Sequence, residues 1–352
     1  MVDDDRQVLV VGGGLPGLAV GAALRRAGYD PVVLTEPDRT PPSELATLHP
    51  TGRSLRDRFA TGTGDAAGSG SVERAVNETG GDGADRRHCP VVMTAEAVRA
   101  WLAATVPEDA CRTDALRDVE REGDVLRVRF ASGVREWFDL VVAADGPAST
   151  VRATRDGSLG AVDAAQVETR LAAGLDAAAG RGTWTGDALV ETLPHPDDGA
   201  LVRVTTDRIP RSESPSAYLR RVVDALDGLE AGGSADAIAR TVTQVDDGGE
   251  WADGRIAYCG AAALPQAPAT GLRTTLALAD AKVLADELMA GPSSVAAAVA
   301  AYGRRRRRHV ERLRESVGDR PDGSGPDPLG SIRRDRSVSA GRCDALADVG
   351  AL

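Results

Sequence analysis

The stretch QVLVVGGGLPGLAVGAALRRAG, residues 7–28, decides the fold of this chain. Its start, residues 7–11, is an apolar run that predicts a short buried strand. Apolar residues then recur at helical spacing as far as Gly28, and PVVLT at 31–35 predicts a second strand ending at Glu36. A strand, a helix and a strand in this order indicate an α/β domain.

The loop between the first strand and the helix is GGGLPG, in which three glycines fit the pattern G-x-G-x-x-G. The first glycine allows a tight turn, the second lets backbone approach a pyrophosphate, and the third lets helix and strand pack closely. Free N–H groups and the helix dipole favour an anion there. We expect a dinucleotide to contact the whole loop, namely Gly12, Gly13, Gly14, Leu15, Pro16 and Gly17. A glycine-rich turn without a ligand is the alternative.

Glu36, at the end of the second strand, narrows the choice of dinucleotide. A carboxylate there accepts hydrogen bonds from a ribose diol and repels a 2′-phosphate. The sequence therefore predicts that this Rossmann-like site holds FAD or NAD and not NADP.

In the next part of the chain, a segment rich in small and polar residues is followed by segments whose apolar residues predict helix or strand. Residues 60–88 are rich in Gly, Ser, Asp and Ala and predict a flexible excursion outside the core. The spacing of apolar residues predicts a helix over 94–106. A hairpin follows at 124–138, and DLVVAADG at 139–146 predicts a buried strand that enters a turn.

Residues 155–250 differ from the rest of the chain in their sequence pattern, and they predict a second, smaller domain inserted into the first. Two strands surround a turn at His195–Gly199, which we expect to be exposed, and a helix follows at 215–229. The strand at 254–260 returns to the first domain, and two more helices are predicted at 271–290 and 293–316.

The run DLVVAADGPASTVR, residues 139–152, is more specific. With it, the chain resembles the FAD-dependent monooxygenases of the para-hydroxybenzoate hydroxylase type. The glycine loop with Glu36 is the first shared motif. The second is D-G-x-x-S-x-V-R, made by Asp145, Gly146, Ser149, Val151 and Arg152. The third motif aligns on Gly260, Pro268, Gly271, Asp280 and Ala281.

This resemblance implies an α/β fold in which a three-layer ββα FAD-binding domain carries an inserted α+β substrate domain. The FAD-binding domain would comprise residues 1–60, 90–155 and 254–317, and the substrate domain 156–253. The segment 61–89 would be the flexible excursion, and the tail at 318–352 is expected to be mobile.

The resemblance also implies a reaction. NADH or NADPH would reduce the FAD, and the reduced flavin would capture O₂ as a C4a-hydroperoxide that oxygenates a small organic substrate. Asp145, Gly146, Pro268 and Gly271 join the glycine loop and Glu36 as expected cofactor contacts. No catalytic triad is visible, and the catalytic residues stay unknown. Arg152 is expected either to pair with a carboxylate and hold its turn or to contact a ligand.

The third motif departs from the family pattern. The family reads GDAAH where this chain reads GAAAL at 260–264, so Ala261 and Leu264 replace Asp and His. Arg273 and Thr275 replace a Gly and an Asn. An Arg that often faces the cofactor is also missing from its place: Thr94 falls near it, and Arg99 is predicted to be out of register.

The composition limits the partners. The net charge is −11, and Lys282 is the only lysine beside many arginines. The acidity argues against nucleic acid, and the Arg-rich run at 304–309 predicts a solvated helix face. A high-salt cytoplasm or a GC-rich coding bias would explain the pattern. No apolar run is long enough for a transmembrane helix, and no secretory leader is visible. A homodimer is compatible with the sequence.

The cysteines, Cys89, Cys111, Cys259 and Cys343, form no CxxC pair, so no metal site is expected. The aromatic residues Trp184, Trp251, Tyr218 and Tyr258 predict core packing. Three functional hypotheses remain: a monooxygenase, a flavin-dependent reductase or dehydrogenase on the same fold, and a non-catalytic paralogue with an eroded flavin site.

Overall fold

The computed structural model describes residues 7–317 except 37–44, 49–51, 53, 56–73, 76–90, 157–160, 172–180, 186–187, 196–198, 207–208, 211, 225–237, 246–249, 264–272 and 292. The expected mobile tail, and the flexible excursion apart from Arg74–Ala75, lie outside the described residues.

The strands are β1 Val8–Val11, β2 Pro31–Thr35, β3 Leu45–Leu48, β4 Arg74–Ala75, β5 Val91–Thr94, β6 Cys111–Thr113, β7 Leu116–Glu122, β8 Val125–Phe130, β9 Arg135–Phe138, β10 Leu140–Ala143, β11 Ala161–Leu171, β12 Arg181–Thr185, β13 Ala188–Pro194, β14 Ala200–Thr206, β15 Ile238–Val245, β16 Ala252–Asp253 and β17 Ile256–Tyr258. The helices are α1 Leu15–Arg26, α2 Ala95–Ala103, α3 Thr150–Asp156, α4 Pro215–Asp224, α5 Arg273–Met289 and α6 Val295–Val317.

A six-stranded sheet in the order β16-β17-β10-β1-β2-β6 forms the centre of the first domain. Its strands pair in parallel, except that β16 pairs with β17 in antiparallel fashion. Every residue of β1 and β10 is buried, as expected for strands covered on both faces. Side chains of α1, α5 and the antiparallel sheet β7-β8-β9 share one core with these strands. The predicted α/β class is confirmed.

A five-stranded antiparallel sheet in the order β12-β13-β14-β11-β15 is built from residues between 161 and 245. Helix α4 covers one face, where Tyr218 and Val223 pack on Val167 and Val204. The position of this sheet in the chain agrees with the predicted insertion, but the domain boundaries stay predictions.

His195 corrects one expectation, because it is buried and not exposed. Its N–H donates to the carbonyl of Gly199 at 3.0 Å and closes the predicted turn. Leu193 and Leu201, next to the turn, pack against Leu45 and Val92 of the sheet β3-β5-β4. The end of the hairpin is therefore covered by a sheet whose strands were not predicted.

The Arg-rich run also holds one buried member. Arg304, Arg307 and Arg308 are exposed on α6, as expected of a solvated face, but Arg306 is fully buried. Its Nε donates to Asp280 Oδ1 at 2.6 Å, and its guanidinium lies 5.4 Å from the ring centroid of Trp251. The expectation of core packing is met by Trp251, Tyr218 and Tyr258, which are all buried.

We predict that Arg306→Met lowers the free energy of unfolding by about 3–5 kcal/mol, because it leaves the buried Asp280 carboxylate without its ion-pair partner. Urea unfolding followed by circular dichroism measures the change. Arg307→Met, at the exposed neighbouring position, is the matched control and should change the free energy by less than about 0.5 kcal/mol. Equal effects of the two substitutions on the free energy of unfolding would contradict the assignment of Arg306 as the buried partner of Asp280.

Candidate cofactor-binding site

Four parallel strands end at one edge of the central sheet. The carboxyl ends of β1, β2 and β10 lie side by side. Val11, the last residue of β1, lies opposite Ala143, the last residue of β10, and opposite Leu34, the last but one residue of β2. The chain leaves this edge through Gly12 after β1, Glu36 after β2, Ala144–Asp145 after β10 and Cys259–Gly260 after β17. Carboxyl ends of parallel strands are where open α/β sheets bind ligands.

Backbone contacts draw these exits together. The N–H of Gly12 donates to the carbonyl of Leu34 at 2.9 Å, and the N–H of Ala144 donates to that of Val11 at 2.8 Å. The N–H of Cys259 donates to the carbonyl of Ala143 at 2.8 Å. Main-chain hydrogen bonds therefore continue the sheet into the first residues of each loop.

Gly12 and Gly17 meet the steric demands predicted for them. Gly12 has a φ of +114°, and a Cβ atom on it would lie 2.5 Å from the carbonyl oxygen of Ala144. A Cβ atom on Gly17 would lie 1.7 Å from the carbonyl oxygen of Gly12. No side chain fits at either position, so the loop and the first turn of α1 are in direct backbone contact.

Gly14 differs from these two glycines because the space beside it is open. Among the residues that the structure describes, a Cβ atom there would meet only Pro16 Cδ, at an ordinary 3.7 Å. Gly14 is the N-cap of α1 and supplies no side-chain cap, and the first turn carries no acidic residue. Unsatisfied N–H groups at such a helix start favour an anion.

Arg99, expected to be out of register with the arginine that often faces the cofactor in the resembled family, contacts the glycine loop. Thr94 caps α2 by accepting a hydrogen bond from the N–H of Ala97 at 3.1 Å. Arg99 lies one turn further, and its Nη1 donates to the carbonyl of Gly13 at 3.0 Å. Long helical side chains point back toward the helix N-terminus, which explains the reach. A positive charge therefore lies beside the glycine loop.

Asp145 is buried and faces its own turn. Its Oδ2 accepts hydrogen bonds from the N–H groups of Thr150 at 2.7 Å and Val151 at 3.4 Å, so it caps α3. Burial raises the pKa of this carboxyl, against the opposing effect of its hydrogen bonds with Ser149 and the backbone. Gly146 follows with a φ of +90°. The carboxylate thus fixes the D-G turn beside Gly12.

Arg152 holds a neighbouring turn through backbone carbonyls. Its Nε and Nη2 donate to the carbonyl of Ala262 at 3.0 and 2.6 Å, and Nη2 also donates to the carbonyl of Glu250 at 2.8 Å. The sequence predicted that Arg152 would either pair with a carboxylate and hold its turn or contact a ligand. The bonds to Ala262 connect the second motif to the third.

The third motif is described only in part. Leu264, Pro268 and Gly271 lie outside the described residues. Ala261 is half-buried in a 3₁₀ turn over Gly260–Ala262, and Arg273 is exposed at the start of α5.

Thr275 is fully buried on α5. A Cβ atom built on Gly52 would lie 2.5 Å from Thr275 Oγ1, so these two residues are in close contact.

Glu36 is half-buried at the end of β2. Cys259 is buried, and burial raises the pKa of its thiol above the ordinary value. Among the described residues, no group of His, Cys, Asp and Glu could hold a metal ion. Within the same part of the chain, no helix combines the length and apolarity needed to cross a membrane.

No protein-family model matches the chain. An alignment over 176 residues shows 30% identity to 3-amino-4-hydroxybenzoate 2-monooxygenase of Streptomyces cremeus. The match covers 43% of this chain and 42% of that relative, which is less than half of its length.

Solved structures match over nearly the whole chain. HpxO of Klebsiella pneumoniae, crystallised with FAD and uric acid, has a TM-score of 0.75 at 18% identity, covering 98% of this chain and 97% of that one. PqsL of Pseudomonas aeruginosa, described as a probable FAD-dependent monooxygenase, has a TM-score of 0.68 at 22% identity, covering 93% and 99%. The chain therefore has the fold of the FAD-binding monooxygenases. The resemblance drawn from the three sequence motifs is confirmed at the level of the fold.

We predict that Gly14→Ala impairs FAD binding without affecting stability, whereas Gly17→Ala destabilises the fold. Gly14 has a φ of −76° and open space, so alanine should leave the melting temperature unchanged and block the approach of a pyrophosphate. Alanine at Gly17 would collide with the backbone of Gly12 and should destabilise the protein by several kcal/mol, on the order of 3. Thermal melts and FAD titrations of both variants test this. Normal FAD binding by Gly14→Ala would contradict the placement of the pyrophosphate against Gly14.

Proposed function

We propose that this protein is an FAD-dependent monooxygenase that uses NADH or NADPH and O₂ to oxygenate a small organic substrate. The observation that carries the proposal is the open backbone of Gly14 at the N-terminus of α1, framed by two glycines that admit no side chain. It lies in a fold shared with a protein crystallised with FAD.

The described residues fit FAD. The N–H groups at the start of α1 would hold the pyrophosphate, and the Arg99 guanidinium beside Gly13 would add a positive charge. Glu36 would accept hydrogen bonds from the adenosine ribose. Asp145 would act on the cofactor indirectly, through the D-G turn that it fixes. Pro268 and Gly271 are proposed contacts that the structure does not describe.

FAD, when bound, supplies the electron transfer and the oxygen chemistry. The chain's own residues would bind the cofactor, orient it and exclude water. The N-terminus of α5 would favour negative charge on a nearby ligand. The exposed Arg273 at this helix start would add a cation.

The relatives favour a small organic substrate. One relative is named for 3-amino-4-hydroxybenzoate, and HpxO was crystallised with uric acid. Both molecules are small, planar and rich in hydrogen-bonding groups. We propose a substrate of this size, bound between the FAD-binding domain and the inserted sheet.

The first experiment is an absorbance spectrum of the purified protein after FAD loading and removal of free cofactor. The proposal predicts stoichiometric flavin, followed by substrate-dependent oxidation of NADH or NADPH and consumption of O₂. Flavin reduction without O₂ consumption would favour a reductase or dehydrogenase. A colourless, folded protein would contradict the proposal and favour a non-catalytic paralogue.

Ala261→Asp tests whether the third motif is eroded. A restored charged hydrogen bond is worth roughly 1.5–3 kcal/mol, or about 10- to 150-fold in affinity. If the backbone already holds the cofactor, we expect Ala261→Asp to lower the FAD dissociation constant by less than about tenfold. Arg273→Gly is the companion variant. A much larger gain from either substitution would indicate a site that has lost its function.

We also propose that the protein works in a salt-rich cytoplasm. The net charge of −11 and the near absence of lysine support this. Circular dichroism should then show a folded protein in molar KCl and a loss of structure on dialysis into dilute buffer. Full stability in dilute buffer would favour the coding-bias explanation.

A further inference from the structure

The 3₁₀ turn at Gly260–Ala262 is bonded at both ends to buried charged side chains. At its start, the N–H of Gly260 donates to Asp280 Oδ2 at 2.7 Å. At its end, the carbonyl of Ala262 accepts hydrogen bonds from Arg152 Nε at 3.0 Å and Nη2 at 2.6 Å. An acceptor from α5 and a donor from α3 therefore fix the two ends of a three-residue turn.

Each of these charged groups is itself held in place. The other oxygen of Asp280 accepts a hydrogen bond from Arg306 Nε at 2.6 Å, and both residues are buried. The Arg152 guanidinium lies 4.2 Å from the ring centroid of Tyr258. Buried charges carry a desolvation cost and are destabilising unless they are well paired and hydrogen-bonded. Neither side chain can therefore move without losing contacts, and the turn is correspondingly rigid.

The turn is in contact with the glycine loop. Gly260 has a φ of +60°, and a Cβ atom on it would lie 2.6 Å from Pro16 Cγ. Pro16 lies in the first turn of α1, close to the open backbone of Gly14. A displacement of the turn would therefore shift the N-terminus of α1. Ala261, in the middle of the turn, has no polar side chain to offer a ligand.

We propose that Arg152 and Asp280 are positioning residues that set the Gly260–Ala262 backbone against the cofactor, in place of a polar side chain at position 261. This inference rests on the proposed function, because the cofactor is the FAD proposed above. The two residues act through the main chain and from the interior. The turn therefore keeps its position although the aspartate of the resembled motif is absent.

The test compares Arg152→Met and Asp280→Asn with two matched controls. Arg155→Met removes an exposed arginine on the same helix, which pairs with Asp253 at 2.7 Å. Asp286→Asn removes a half-buried carboxylate of α5, which pairs with Lys282 at 2.5 Å. Arg152→Lys keeps the charge but supplies one donor group in place of the guanidinium fork, and it serves if Arg152→Met does not fold.

Two measurements are made on each variant that circular dichroism shows to be folded. Hydrogen exchange of the FAD-free protein reports on the backbone amides of residues 256–263. Fluorescence titration gives the FAD dissociation constant, and the fine structure of the visible flavin band reports on the surroundings of the ring.

For Arg152→Met and Asp280→Asn we expect faster hydrogen exchange confined to this turn. The FAD dissociation constant should rise by about 10- to 100-fold, and the visible flavin band should change. Both control variants should behave like the wild type. Arg152→Lys should fall between the wild type and Arg152→Met.

Two results would overturn the inference: unchanged exchange at the turn, or unchanged FAD affinity in a variant whose turn has loosened. The wild-type titration separates this failure from that of the proposed function. If the wild type does not bind FAD, the proposed function fails and the cofactor part of this inference fails with it. If the wild type and all variants bind FAD equally well, only the positioning role is overturned.

Discussion

Direct backbone contact at Gly12 and Gly17 is the constraint on which the site depends. A Cβ atom at Gly17 would lie 1.7 Å from the carbonyl oxygen of Gly12, and one at Gly12 would lie 2.5 Å from that of Ala144. These contacts bring the end of β1, the start of α1 and the turn after β10 into one compact junction. The open side of this junction, at Gly14, is left free for a ligand.

Much of this junction could be predicted from the sequence, because glycine spacing and apolar runs report local backbone geometry. The strand, loop, helix and strand of residues 8–35 appear close to their predicted bounds. The small sheet β3-β5-β4 could not be predicted, because the pairing of such short strands depends on partners that are distant in the sequence. The hairpin at His195 shows the same limit: its turn was predicted, but the sheet that packs on the neighbouring Leu193 and Leu201 was not.

Long-range charge pairing was the other feature beyond sequence reasoning. Arg306 is one of five consecutive arginines, and nothing in the run distinguishes the member that meets Asp280. Arg152 was identified through its motif, but its bonds to the carbonyl of Ala262 join residues 110 positions apart. Periodicity cannot report such contacts. They nevertheless explain how a third motif without its polar side chains can keep a defined backbone.

We propose that this backbone junction binds the pyrophosphate of FAD. The most direct measurement is a crystal structure of the protein grown with saturating FAD. We expect electron density for the pyrophosphate against Gly14 and the first N–H groups of α1, with the adenosine ribose at Glu36. Pyrophosphate density elsewhere, or a bare Gly14 surface in crystals that contain the cofactor, would contradict it.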